Sequence, residues 1–345
     1  MQVLVQPGDG IAALLSGIEG ARKSIEIVIF RFDMRKIELA LEAAVRRGVS
    51  VHALIASTNQ GGDKNLRQLE SRLLAAGVTV ARTAGDLTRY HSKLMIVDRR
   101  VLYLMSFNYT RLDIDRSRSF GFILKSKPIV LEAIKLFEAD TTRQPYTPGL
   151  DTFIVSPSNA RVQISTFIKG TKKQLLIYDS KLSDSQIVGL LQNCVKAGIE
   201  VRVIGRVGRQ GTAIQAVKLP TLRLHAQAII RDGKQAFLGS QSLRKPELDD
   251  RREVGLITRD PKVVKRLLTI FETDWSSVSR MKEAPAERKD ALPVTVAGAL
   301  KEAVKDVVKS AVMESVSDPA NVKEVKQVVK KAVKEALKEA ENEPD

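Results

Sequence analysis

The chain has 345 residues, 43% hydrophobic and 28% charged, enough to bury a sizeable core in about two domains of an ordinary soluble protein. Its formal net charge of +16 favours a polyanion or an anionic surface as partner, and its single cysteine, Cys194, excludes an internal disulfide. No apolar run approaches the ~20 residues of a bilayer span, and the first ten residues lack the basic and apolar regions of a signal peptide, so a cytoplasmic chain, at most peripheral at a membrane, is expected.

In chain order, residues 2–5 read as a strand and 10–21 as a helix with apolar positions at Ile11, Leu14, Leu15 and Ile18. Residues 24–30 are a buried strand, 36–47 a helix closed by Gly48, and 49–55 the next strand. A loop at 60–63 leads to a helix over 65–76, stopped by Gly77, and 78–81 is again a strand. This alternation predicts α/β architecture with much parallel sheet. From Tyr90 to Asn108 the chain reads as two short buried strands, 94–97 and 101–104, around a tight turn at Asp98-Arg99-Arg100. A strand at 119–124 and a helix at 129–139 follow, and 141–151, with Pro145, Pro148 and Gly149, is a turn-rich link.

Beyond the link the pattern restarts, with strands at 152–155, 174–178 and 199–204 and helices at 159–168 and 185–197. Residues 43–54 and 193–204 correspond nearly position for position, which marks an internal duplication. His91, Asp98 and Ser106 each have a counterpart 134 residues later, at His225, Asp232 and Ser240. Alternate strand residues share a face, so His91 and Lys93 point one way, as do Ser106 and Asn108. An imidazole, an ammonium, a hydroxyl and an amide around one spot suit a phosphodiester: the imidazole attacks phosphorus and the others hold the non-bridging oxygens. One histidine beside a strand is more often structural, but two matching sites on duplicated halves are hard to explain by packing.

These residues resemble the phospholipase D superfamily, whose signature is His-x-Lys-x4-Asp followed by Gly-Ser-x-Asn. The first copy matches at His91, Lys93, Asp98, Ser106 and Asn108, with Met105 in place of the glycine. The second keeps His225, Asp232, Gly239 and Ser240 but has Gln227 for the lysine and Ser242 for the asparagine. The resemblance spans nearly all of 1–280 and implies two pseudo-symmetric α/β/α lobes, 1–148 and 149–280, with one active site between them. It also implies a metal-independent, cofactor-free transfer through a phosphohistidine, with Asp98 and Asp232 supporting the fold.

In the family an acid downstream of each motif orients the histidine of the opposite lobe. Glu253, 28 residues after His225, is the candidate for His91; its first-lobe counterpart is Ser119, with Asp113 and Asp115 as open alternatives. The expected assignment is therefore His91 as nucleophile, supported by Lys93, Ser106, Asn108 and Glu253. His225, expected to have lost its lysine, asparagine and orienting acid, is the general acid and base. Lys93, Asn108, Gln227, Ser240 and Ser242 are the expected phosphate ligands.

Hydrolysis or headgroup transfer on phospholipids is the leading expectation. The alternatives are a nuclease, which the basic body permits although 5% aromatics argue against extensive base stacking, and a weak or inactive phosphate- or nucleic-acid-binding pseudoenzyme. The glycine-rich stretch 205–211 lacks phosphate-loop spacing and is expected to be a mobile loop near the cleft. His52 is expected to be structural, Trp275 a core anchor ending a helix over 261–274, and no metal-ligand spacing occurs. From Pro293 two amphipathic runs predict a helical tail over 281–345 that packs on the body or pairs with a second copy, in preference to a membrane surface.

Overall fold

The computed structural model describes residues 1–57, 63–208, 211 and 213–283. The chain divides into two units, Met1–Met281 and Lys282–Asp345. The expected tail lies outside the described residues beyond Glu283, so the description that follows is of the first unit.

That unit holds two sheets. The first is ordered β1 (Gln2–Gln6), β8 (Ser117–Leu124), β7 (Val101–Met105), β6 (Leu94–Val97), β2 (Ser24–Ile29), β3 (Ser50–Ile55), β4 (Thr79–Arg82). The second repeats it as β12 (Gln215–Val217), β11 (Glu200–Val207), β10 (Gln174–Leu182), β14 (Gln227–Arg231), β15 (Gln235–Gly239), β16 (Arg251–Thr258), with β9 (Phe153–Ser156) on β16. Of the strands in these two orders, β2-β3-β4 and β10-β11-β12 are parallel. The motif hairpins pair antiparallel because three-residue turns cannot carry a parallel crossover. The expectation of much parallel sheet thus holds for the minority of pairings in each sheet, and the rest are antiparallel.

Strand alternation explains the layering. On β2, Ile25, Ile27 and Ile29 face a core shared with the helices α1 (Ala12–Gly20), α2 (Arg35–Arg46) and α3 (Asp63–Ala75), whereas Val28 faces the opposite side. On β10, Leu175 and Ile177 face α6 (Ala160–Lys169) and α7 (Ser185–Lys196), and Leu176 and Tyr178 the other way. The inward faces of both sheets meet in one cluster with α5 (Lys127–Thr142) and α9 (Pro261–Glu283), through Val130, Phe137, Leu267 and Phe271. One continuous apolar core therefore holds the halves together. Helix α9 runs nine residues past the expected end, and Trp275 stacks on Phe271 at 5.8 Å.

Two further strands, β5 (Arg89–Tyr90) and β13 (Arg223–Leu224), are only two residues long, which is why apolar periodicity does not reveal them. Each pairs with the opposite sheet: β5 runs parallel to Arg251–Arg252 of β16, and β13 parallel to Ser117–Arg118 of β8. The lobes thus exchange strands.

Asp98 and Asp232 open the hairpin turns at φ 52° and 54°, the left-handed region that aspartate tolerates better than most residues. The Asp98 carboxylate accepts the backbone N–H groups of Arg22, Lys23 and Ser24 where β2 begins. Asp232 does the same for Lys172, Lys173 and Gln174 ahead of β10. Burial raises the pKa of both, but these bonds outweigh it and hold each below its ordinary value of 3.8. Asp98→Ala and Asp232→Ala should each cost about 2 kcal/mol in urea denaturation, and, sharing no partner, should add in the double variant. Because depressed carboxylate pKa values stabilise only above the ordinary value, the penalty should shrink as the pH falls below 3.8.

Candidate active site

Each motif histidine follows an exchanged strand. The His91 amide donates to the Arg252 carbonyl across the lobe boundary at 2.8 Å, and the His225 amide donates to that of Arg118 at 3.0 Å. Both rings are held where the lobes meet, with 17% and 15% of their side-chain surfaces exposed.

His91 Nδ1 lies 3.0 Å from both carboxylate oxygens of Glu253, which is fully buried on β16 of the second sheet. Lys93 Nζ sits 2.7 Å from His91 Nε2 and is 1% exposed. The Lys93 pairing arises although regular strand structure starts only at Leu94. Phe30 meets the His91 ring edge-on at 4.6 Å, and Arg31, Arg89 and Lys93 all stand within 5.7 Å of the Phe30 ring centre.

The expectation that His225 has no orienting acid is corrected. Its Nδ1 lies 3.0 Å from Asp113 Oδ2, on the one-and-a-half-turn helix α4 (Arg111–Asp115). The two meet at salt-bridge distance without a regular hydrogen bond from the ring nitrogen. Asp113 also accepts the Asn108 amide at 2.8 Å, Asn108 Nδ2 at 2.7 Å and Arg223 Nη1 at 2.6 Å. Ser119, equivalent by position to Glu253, instead donates its hydroxyl to the Asp113 carbonyl at 3.3 Å. Glu247, equivalent to Asp113, lies on α8 (Lys245–Asp249) and pairs with Arg244 and Arg251. The two acids therefore come from non-equivalent positions, a strand for one histidine and a short helix for the other.

Several expected phosphate ligands are committed elsewhere. The Ser106 hydroxyl donates to the Phe120 carbonyl and accepts its N–H, both at 3.0 Å, clipping the end of β7 to β8. Ser240 clips to the backbone of Val254 in the same way, and Ser242 donates to Asp179 Oδ1 at 2.6 Å. A hydroxyl has one proton to donate, so these three serines are structural fasteners. The Asn108 amide nitrogen gives one of its two N–H groups to Asp113. Asn108 Oδ1 and Gln227 Oε1 are buried without a hydrogen-bond partner. Lys93 is the expected ligand that the fold brings directly to a histidine.

Burial dominates the protonation of the cluster. It lowers the His91 pKa well below its ordinary value, and the charges of Lys93 and His225 lower it further. Burial lowers His225 too, but Asp113 opposes the shift. Lys93 falls to about 7 through burial, against the pull of Glu253, and burial lifts Glu253 to about 7 against the pull of Lys93. Asp113 would also be raised by burial, but its contact with His225 and its bonds from Asn108 and Arg223 hold it well below the usual carboxylate range. Lys93 and Glu253 meeting near neutrality across His91 make a site that can pass a proton at little cost.

Arg89 and Arg223 were not anticipated. Each stands two residues before its histidine, 134 apart, so comparing the repeats beyond the motif residues themselves would have found them. Gly205 belongs to β11, not to a loop, and a Cβ there would meet the Asp179 carbonyl oxygen at 1.6 Å. With Arg206, Lys218, Arg223 and Leu224 it lines a cavity of about 270 Å³ beside the His225 segment, while Arg209 and Gln210 lie outside the described residues. His52 meets Phe137 edge-on at 5.2 Å and Cys194 is buried in the outer core of the second lobe. Among the described residues no three His, Cys, Asp or Glu side chains gather closely enough to hold a metal ion.

The family model described as "Cardiolipin synthase, PLD-like domain" matches residues 14–141 and 164–275. Polyphosphate kinase of Vibrio parahaemolyticus is 26% identical over 277 residues, covering 72% of this chain and 39% of its own. Cardiolipin synthase A of Pectobacterium carotovorum is 32% identical over 124 residues, 31% of this chain and 25% of its own. The chain thus spans less than half the length of these curated relatives. The crystal structure of polyphosphate kinase from Porphyromonas gingivalis shares the fold with a TM-score of 0.68 at 17% identity, covering 80% of this chain and 47% of that one. With the family model matching a segment of each duplicated half, each carrying one of the paired histidines, the chain belongs to the phospholipase D superfamily.

Proposed function

We propose that the chain is a metal-independent phosphodiesterase that hydrolyses phospholipids or transfers their headgroups through a phosphohistidine on His91. The observation that carries this reading is the pair of partly buried histidines, each with Nδ1 against a carboxylate and one with a buried lysine within 2.9 Å of both its ring nitrogens. Phospholipid as substrate is supported by the family model and by the match to a cardiolipin synthase. In this reading residues 1–148 and 149–280 are two halves of one catalytic unit.

Glu253 accepts a hydrogen bond from the Nδ1–H of His91, which keeps the lone pair on Nε2, and Lys93 Nζ, 2.7 Å from Nε2, moves to a non-bridging oxygen as Nε2 turns to phosphorus. The N–P bond forms as the P–O bond to the leaving group breaks, and His225 gives its proton to the departing oxygen. Water or an alcohol then gives a proton to His225 while its oxygen attacks phosphorus and His91 departs. Lys93 and the arginines around Phe30 offset the charge on the non-bridging oxygens. His91 is preferred over His225 as nucleophile because its lobe supplies Lys93 where the other supplies neutral Gln227.

A second reading, transfer along a phosphoanhydride chain, is favoured by the similarity to polyphosphate kinases over 72% of this chain. Wild type and His91→Asn should be compared in excess EDTA on cardiolipin or phosphatidylglycerol vesicles, on polyphosphate with ADP, and on DNA. Lipid turnover that falls at least ~10³-fold in the variant is expected. Nucleotide formation or DNA cleavage in place of lipid turnover would transfer the assignment to phosphoanhydride or nucleic-acid chemistry. Silence of the wild type on all three would leave a phosphate-binding protein.

Lys93 is a cation only below about 7 and Glu253 a carboxylate only above about 7, so the kcat/KM profile should be a bell about neutrality with Lys93 setting its alkaline limb. Lys93→Arg, whose guanidinium keeps its proton throughout, should retain activity at alkaline pH. A variant profile that overlays the wild type would assign the limb to another group.

A further inference from the structure

We infer that Arg118 and Arg252 are positioning residues, each setting the histidine of the opposite lobe through its own backbone carbonyl. The two occupy equivalent places 134 residues apart, and so do Asp140 and Asp274. Arg118 accepts the His225 amide and Arg252 the His91 amide. The guanidiniums are fixed at matching points. Arg118 forks onto both oxygens of Asp274 at 2.7 and 2.8 Å and donates to the Gln6 carbonyl at 2.9 Å. Arg252 donates to Asp140 Oδ1 at 3.1 Å and to the Ser156 carbonyl at 3.2 Å.

Gln6 and Ser156 end the equivalent edge strands β1 and β9, so each arginine is tied to a strand of its own sheet. The aspartates come from the other half. Asp274 lies on α9 and holds the first-lobe arginine; Asp140 lies on α5 and holds the second-lobe arginine. Tyr178 donates to Asp274 at 2.7 Å, and the Arg252 guanidinium lies 5.7 and 6.0 Å from the ring centres of Tyr90 and Tyr146.

A carbonyl at the first turn of pairing in a strand can tilt unless its residue is held. A guanidinium with two carboxylate or carbonyl anchors fixes that peptide plane, and with it the histidine's own amide, two bonds from the imidazole's Cβ. Neither arginine touches a reacting atom, so its effect reaches the chemistry only through its histidine. The inference rests on the proposed phosphodiesterase reading for its kinetic arm alone.

The chain has three histidines, so full-length protein labelled with 15N-histidine gives three backbone amide signals, with His52 as internal control. Arg252→Met should speed hydrogen exchange of the His91 amide about tenfold and leave His225 and His52 unchanged; Arg118→Met should do the converse. In kcat/KM, which reports the first transfer alone, Arg118→Met should slow an alkyl phosphodiester about tenfold but spare a nitrophenyl ester, whose leaving group needs no proton from His225. Arg252→Met should slow both. Both amides loosening together while His52 stays protected, or neither moving, would overturn the inference. Where all three amides lose protection the variant has unfolded, and Asp140→Asn and Asp274→Asn, which keep an acceptor at each site, must then give the same crosswise pattern. A crosswise exchange pattern in a protein that turns over neither ester sinks the enzymatic reading and leaves the positioning role standing.

Discussion

The structure depends on two reciprocal backbone exchanges, β5 onto β16 and β13 onto β8. Each is a minimal pairing, two residues long, yet each delivers a histidine directly to the lobe boundary. A catalytic ring reached by a long loop would need the loop's entropy removed on every encounter. Here ordering is done once, on folding, and the shared core around α5 and α9 holds it. The position of the rings is therefore a property of the interface, and neither lobe specifies it alone.

The same interface fixes the electrostatics. Lys93, Glu253 and both histidines are largely withdrawn from water, so the charged forms of all four are penalised and only mutual pairing offsets the penalty. Donors and acceptors held in place before substrate arrives need little rearrangement when charge develops on phosphorus, which is where such sites gain most. The first lobe brings a lysine, the second an acid from β16, and α4 returns an acid to the second lobe's histidine. Asymmetry of sequence thus coexists with near-symmetry of contact.

Much of this was legible in the sequence. The βα alternation, the restart after the 141–151 link and the doubled histidines follow from spacing and from matching one repeat against the other, and the Glu253 partnership from the resemblance to the phospholipase D superfamily. What was hidden has physical causes. Two-residue strands carry no periodicity, so β5 and β13 were unreadable and with them the reason the histidines converge. Asp113 was one of two alternatives because the equivalent position, Ser119, had lost its carboxylate and a short helix supplied a substitute from six residues away. Ser106, Ser240 and Ser242 suggested phosphate ligands by residue type, but whether a hydroxyl is free depends on the neighbouring strand, which no local pattern reveals.

The exchanged strands also bear on how such a chain can change over time. Two identical copies of one half, related by a two-fold axis, would place each substitution at both histidines at once. Joined in a single chain, the halves are free to drift apart, provided the surface they share continues to fit. Gln227 and Ser242 in one half against Lys93 and Asn108 in the other, and acids drawn from unlike positions, are the record of that freedom. Covalent fusion has let inheritance treat as two separate sites what the fold still assembles as one.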